Sequence, residues 1–350
     1  MKIFKTITIW AMLSLALQMS GFFYVNNYFL SDETNIKVSK LVKNTDEKKE
    51  AEVFVPEEAE NISASYNGRY MAYYDSDVLK IVTMSTGEEK TVEFDEDVEV
   101  SYYRWLSDRN RMLIAEKHKT SSGINFELSY YDVDKDTKDA IETLTWAGKN
   151  AEVSDIEASP LTNLIFIKVA LNDYTSSIYS LNIMEDKKKV STVVDTIGNI
   201  GIVPHVDKLY YEDAANSRVY ATGSKNRITV GNAEKTTLLS VDNNDNVYIG
   251  ELAVDNTVVR IYYGQAGADT STYSLVELAS SYFREDICIS NDGKIYLNDN
   301  LKGTITDSAT GKEYVYPGIF IQIYDGGIMS LSENQVMKTT FSDDNILSKE

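Results

Sequence analysis

The chain is poor in the residues that most enzyme chemistry depends on. It contains one cysteine, two histidines and four prolines among 350 residues. A lone cysteine excludes an internal disulfide framework, and Cys288, in the strand-like run DICIS, reads as a small buried apolar residue. A chain of this length buries roughly 75% of the surface its unfolded form exposes, so the fold needs neither disulfide nor metal. His118 and His205 lie too far apart to form a helical zinc pair, and H-E-x-x-H, G-x-S-x-G and a phosphate-binding glycine loop are all missing. His205, following Pro204, reads as an exposed turn residue. No catalytic residue, metal ligand or cofactor is expected.

Positive charge is also scarce, with 34 Lys and Arg against 54 Asp and Glu, for a net charge of −20. The one clear basic cluster is Lys187-Lys188-Lys189, so nucleic acid is excluded as a partner. The same charge keeps the body off an anionic membrane or wall polymer unless cations intervene. Carboxylates are abundant enough to meet by chance, so no acidic pair merits a glycosidase role from sequence. Asp132, Asp134 and Asp136 resemble the start of a calcium loop. Thr137 stands where that loop needs glycine and Thr143 where it needs glutamate, which leaves a solvated turn.

What is present is a repeat. In residues 65–75, SYNGRYMAYYD, Asn67-Gly68 offers the positive φ angles of a hairpin turn, and Tyr70, Ala72 and Tyr74 then alternate with Met71 and Tyr73. Weaker copies begin at Asn110, Asn163, Asp207, Asn246, Gly293 and Gly326, at a mean spacing of about 43 residues. Units of that length with several short strands apiece match propeller blades better than helical repeats. Adjacent strand residues point to opposite faces, so the pairs Tyr73-Tyr74, Tyr102-Tyr103, Tyr130-Tyr131, Tyr210-Tyr211 and Tyr262-Tyr263 read as packing on both faces of a blade.

The one long hydrophobic run is N-terminal. Lys2 and Lys5 precede Ile7 to Phe23, which carries no charge, and apolar character continues to Leu30. About 20 apolar residues cross a bilayer, and the LQMSG stretch makes a poor cleavage site. Residues 1–30 therefore read as a cytoplasmic tip and an uncleaved transmembrane signal anchor, with membrane contact through residues 7–30 and the body outside. Residues 31–50 read as a charged linker, with a short juxtamembrane helix using Ile36, Val38, Leu41 and Val42 as the rival.

Residues 51–341 form the body, and residues 342–350 a tail. Residues 52–55 are a strand without a hairpin partner, whereas the last repeat supplies only three strands. A ring of blades leaves no open edge when both termini build one blade. The expectation is an all-β, seven-bladed β-propeller, with six blades as the alternative. Either Asp245-Asn246 or Asp255-Asn256 serves as the fifth repeat's hairpin turn.

The unit SYNGRYMAYYD, and more loosely NDGKIYLND at residues 291–299, resembles the Ser-Pro-Asp-Gly-Lys-x-Ile-Ala-Tyr unit of TolB-like and WD40-like β-propellers, as in the propeller domain of dipeptidyl-peptidase-type proteins. The Trp-Asp and Gly-His pairs of strict WD40 repeats do not occur. The resemblance implies a propeller fold and a binding role. It implies no peptidase.

The functional expectation is a membrane-anchored, extracytoplasmic, non-catalytic binding or scaffolding module for an envelope or membrane protein or a glycan. The alternative is a propeller-type lyase or glycan hydrolase using acidic residues near the central channel. Residues 117–125, 170–177 and 264–272 exceed a tight hairpin's needs and are expected on one rim, if the fifth repeat turns at Asp255-Asn256. Their candidate contacts are His118, Lys119, Asp173, Tyr174, Gln265 and Asp269.

Overall fold

The computed structural model describes residues 51–346, apart from 77, 122, 147–149, 160, 183 and 185, together with helical residues 10, 12, 14, 15 and 17–22. The chain divides into two units, Met1–Lys49 and Glu50–Glu350. Among the described residues no helix is long and apolar enough to cross a membrane. The rest of the expected anchor, the linker at 31–50 and the last residues of the tail lie outside the described ones.

The second unit is a ring of seven small antiparallel sheets. Its first strand, β1 (Val53–Phe54), is set apart from the blade that follows. Blade one contains β2 (Glu60–Ala64), β3 (Tyr70–Asp75), β4 (Val78–Thr83) and β5 (Glu88–Thr91). Blade two contains β6 (Val98–Trp105), β7 (Arg111–Thr120), β8 (Gly123–Asp132) and β9 (Thr137–Trp146). Blade three contains β10 (Glu152–Ser159), β11 (Leu164–Ala170), β12 (Ser176–Asn182) and β13 (Lys187–Lys189). Blade four has three strands, β14 (Ile197–Ile202), β15 (Leu209–Asp213) and β16 (Arg218–Ala221), and in place of an outer strand Ile228 N–H donates to the Val219 carbonyl at 2.7 Å.

Blade five contains β17 (Thr236–Val241), β18 (Asn246–Leu252), β19 (Val258–Gln265) and β20 (Ser274–Tyr282). Blade six contains β21 (Ile287–Ile289), β22 (Ile295–Asp299), β23 (Thr304–Asp307) and β24 (Glu313–Val315). Blade seven contains β25 (Ile319–Tyr324), β26 (Gly327–Ser332), β27 (Gln335–Thr340) and, as its outer strand, β1. Val53 pairs with Val336 and Phe54 with Gln335, so the two ends of the body close the ring. Seven blades and terminal closure agree with the sequence expectation. The tail folds back: Phe341 stacks on Tyr296 at 4.7 Å, and Ile346 bridges Tyr314.

Alternation in the second strand of each blade holds the ring together. Seven apolar clusters lie between consecutive blades, one at each seam. In β3, Tyr70 and Ala72 enter the seam with blade two, whereas Met71 and Tyr73 enter the seam with blade seven. In β7, Met112 and Ile114 face blade one while Leu113 and Ala115 face blade three. All five tyrosine pairs split between two seams in this way; Tyr211 and Tyr210, for example, enter the seams on either side of blade four. Each second strand is thus buried on both faces, and its period-two pattern serves two neighbours at once.

Turn geometry fixes the direction of each blade. Gly68 takes φ +63°, and a side chain there would meet the Tyr324 ring at 2.8 Å, so glycine is required. Only Gly68 of the Asn67-Gly68 pair is left-handed. Asn67 instead stabilises the turn through its side chain, which accepts from Arg69 N–H at 3.0 Å. The inner strands run toward one face of the disc, here the front, where the inner-to-second and third-to-outer turns lie. Second-to-third turns and the links between blades lie on the back.

Candidate functional site

The channel is lined by the inner strands, and six of the seven, β21 being the exception, carry an irregularity in their pairing with the second strand. A bulge shifts the phase of the strand and frees backbone groups that then need partners. In β10 the shift falls between Val153 and Asp155. Val153 and Ile156 consequently share the seam with blade two, while Asp155 and Glu157 are left facing the channel. Side chains from the preceding blade satisfy the freed backbone: Lys168 Nζ donates to the Gly198 carbonyl, and Asn199 Nδ2 to the Leu238 carbonyl, each at 2.9 Å.

On the front face the channel widens into a cavity of about 590 Å3, lined by residues of blades two to six. Arg104, from β6, is held between two carboxylates of β10, with Nη1 2.8 Å from Asp155 and Nη2 2.7 Å from Glu157. Burial pushes the Glu157 carboxyl up to about 7; Arg104 opposes the shift, and the negative charge of Asp155 adds to it. Burial with Asp155 beside it likewise raises the Tyr102 hydroxyl to about 12. Asn199, Ser240, Asn243 and Asn291 add hydrogen-bonding groups, and Trp105, Leu161 and Ile289 add apolar wall. The arrangement offers a concave polar site with one guanidinium already neutralised by its own carboxylates.

Another charged cluster lies at Glu212. Thr237 donates to its carboxylate at 3.2 Å, and Arg284, in the link to blade six, approaches at 3.5 Å. Burial raises the Glu212 carboxyl and Arg284 counters it, while burial lowers the Lys168 ammonium.

The candidates from sequence do not share a rim. Residues 117–125 are mostly strand: His118 pairs with Asn125 and Lys119 with Ile124 in a long β7–β8 hairpin on the back face. His118 is half-buried and its Nε2 has no hydrogen-bond partner among the described residues, whereas Lys119 is paired with Glu99. Asp173 and Tyr174 lie in the β11–β12 turn on the same face, with Tyr174 77% exposed. Residues 264–272, however, join β19 to β20 and lie on the front. The fifth repeat's inner turn is at residues 242–245, before β18, and Asp255-Asn256 forms the following turn on the back. Gln265 Nε2 is committed to Asn244 O and Asn246 Oδ1 at 2.8 Å, and Asp269 caps a short 3-10 turn by accepting from Ser271 N–H at 3.0 Å. The expected single surface of three loops is therefore replaced by two separate rims.

The remaining sequence candidates serve structure. Asp132 pairs with Arg111, Asp134 accepts from the Tyr70 hydroxyl, and Asp136 pairs with Lys90. His205 lines the front cavity, with Nδ1 and its backbone nitrogen each 3.0 Å from Asp245 Oδ1. Burial pushes the Cys288 thiol up to about 12. Arg104, Asp155 and Glu157 were not singled out from sequence. Their signal is a pair of acidic residues flanking Ile156 in a strand whose neighbours in the alternation are apolar.

No family model and no curated protein matches the sequence. Among solved structures, the WD40 β-propeller domain of Doa1 aligns at 12% identity and a TM-score of 0.52, covering 85% of this chain and 97% of that one. The chain is a seven-bladed β-propeller. The WD40 domain of SCAP from fission yeast aligns at 13% identity, 81% coverage of both chains and a TM-score of 0.44. A luciferin-regenerating enzyme aligns at 13% identity, 85% and 94% coverage and a TM-score of 0.41. At these identities the likeness concerns the fold alone.

Proposed function

We propose that the protein is a non-catalytic binding module, anchored in the membrane through residues 7–30 with the propeller outside the cell, that receives an envelope component at the front mouth of its channel. The observation that carries this reading is the cavity, where convergent polar groups and apolar wall meet in a volume typical of ligand sites, about 300 to 1,000 Å3. The anchor rests on the uncharged run after Lys2 and Lys5. Protease added to cells stripped of their wall is expected to digest the propeller, and protection would overturn the outward orientation. Leu161, 60% exposed at the mouth, provides the test of the site: Leu161→Arg is expected to fold normally and lose whatever the wild type retains from solubilised membranes. An unchanged set of retained partners would remove the cavity from the account.

A second reading is favoured by one observation, the carboxyl of Glu157 raised to about 7 beside Asp155, which suits a general acid in a lyase or glycan hydrolase. Turnover of an envelope glycan that disappears in Glu157→Gln would replace the binding reading with this one.

A further inference from the structure

Two outer edges of the ring carry opposite charge, and neither is neutralised within the chain. We propose that the basic edge of blade four docks against the acidic edge of blade one in a second copy of this chain, joining propellers edge to edge. The contact is independent of the cavity and leaves the front mouth free.

Blade four has no regular outer strand. In its place residues 222–230 run beside β16, joined to it by the single bridge between Ile228 and Val219. This stretch contains no carboxylate, and its Lys225 and Arg227 are exposed. Arg218 begins β16, and Val190 packs in one seam with Tyr220, which sets Lys189 at the end of β13 beside the same edge. None of these four cations makes an ion pair among the described residues, and the buried Nε of Arg218 has no hydrogen-bond partner among them. Lys187 and Lys188, by contrast, are held by Glu142 and Asp186.

The edge of blade one is the reverse. Residues 88–97, comprising β5 and the link to blade two, hold six carboxylates against Lys90, which is itself paired with Asp136. Glu88, Glu93, Asp95, Glu96 and Asp97 are exposed and make no ion pair among the described residues. The two edges are three blades apart on the ring, so they cannot meet within one molecule. Charge on a sheet edge ordinarily prevents association because like edges repel. Here one edge is the counterion of the other. The surfaces in contact differ, so the interface is heterologous and copies add head to tail.

The net charge of −20 gives this contact an unusual salt dependence. At about 0.01 M salt the Debye length is about 30 Å, and whole bodies repel. At about 0.15 M it falls to about 8 Å, so only the touching edges count, and at about 1 M it is about 3 Å and screens the edges as well. Association is therefore strongest at intermediate salt.

The test is sedimentation velocity of the full-length protein in a neutral detergent over a range of protein concentrations. At about 0.15 M salt the sedimentation coefficient is expected to rise with concentration, and the rise is expected to be lost at about 0.01 M and about 1 M. The double variant Lys225→Glu, Arg227→Glu and the double variant Glu93→Lys, Glu96→Lys are each expected to lose the rise while melting like the wild type. Mixing the two variants, or combining all four substitutions in one chain, is expected to restore it, and Lys302→Glu on blade six to leave it unchanged. A monomer under all conditions would overturn the proposal, as would association that survives either double variant. Loss in both double variants without recovery on mixing would overturn the pairing of these two edges. A monomer held by immobilised dextran sulfate through Lys225 and Arg227 would assign the basic edge to an anionic polymer and overturn the second copy.

Discussion

The two faces of the disc are built from similar turns, yet only one of them converges. The back carries the long β7–β8 hairpin and the most exposed apolar side chains, Leu301 at 100% and Val254 at 97%. Each stands on its own turn, and singly scattered apolar residues are ordinary on a protein surface. The front carries the β19–β20 loop and inner turns stapled by side-chain oxygens: Asp242 accepts from Asn244 and Asn246 N–H at 2.8 Å, and Ser159 Oγ donates to the Pro204 carbonyl at 2.6 Å. Behind those staples lie the bulged inner strands and the Arg104–Asp155–Glu157 cluster. Loop length and exposure thus single out turns that stand alone, whereas convergence from several blades forms the concave surface proposed as the binding site.

This contrast presupposes a closed ring, because only closure holds seven sets of turns on two opposite faces. Deleting residues 51–56 removes β1 and uncovers the edge of β27. It is expected to cost a large share of a total stability of about 5 to 15 kcal/mol, measured by denaturant unfolding of the otherwise full-length protein. An unchanged midpoint would dissolve the two-face picture. Next in size is the seam that aligns the inner strands bearing Arg104 and Asp155. Phe126 is completely buried in it, and Phe126→Ala is expected to cost about 3 to 5 kcal/mol.

Smaller effects separate the faces directly. Glu157 has its folded pKa raised from 4.5 to about 7, so the folded protein binds this proton more tightly than the unfolded chain. That contribution favours the fold at acid pH and is lost as pH rises through the window between those values. Glu157→Gln is expected to flatten this part of the stability profile and to melt higher than the wild type at pH 8. The same slope in the variant would contradict the charge account. On the back, Val254→Ser and Leu301→Ser are expected to shift stability by no more than about 0.5 kcal/mol, read from the same unfolding curves.

Much of the fold was legible because turn and alternation sit together in each repeat. Tyr70 to Tyr74 display both the strand and its two buried faces, and the unpaired strand near Val53 displays the closure. The site was not legible in the same way. Asp245 and Asn256 both adopt positive φ, at 61° and 63°, so both are true turns, and only strand pairing tells which precedes the second strand. That one ambiguity moved Gln265 and Asp269 to the other face. The cluster at Arg104 was hidden for a related reason: residues from β6 and β10 meet only after bulges have reset the phase of both strands, and a bulge leaves no reliable mark in residue type.

The central claim is that partners engage the front mouth, and site-specific photo-crosslinking tests it most directly. A photoreactive amino acid is placed at position 161 on the front or at position 254 on the back of the full-length protein, in cells. The account predicts a discrete crosslinked adduct from position 161 and none from position 254. An adduct from position 254 alone would contradict it.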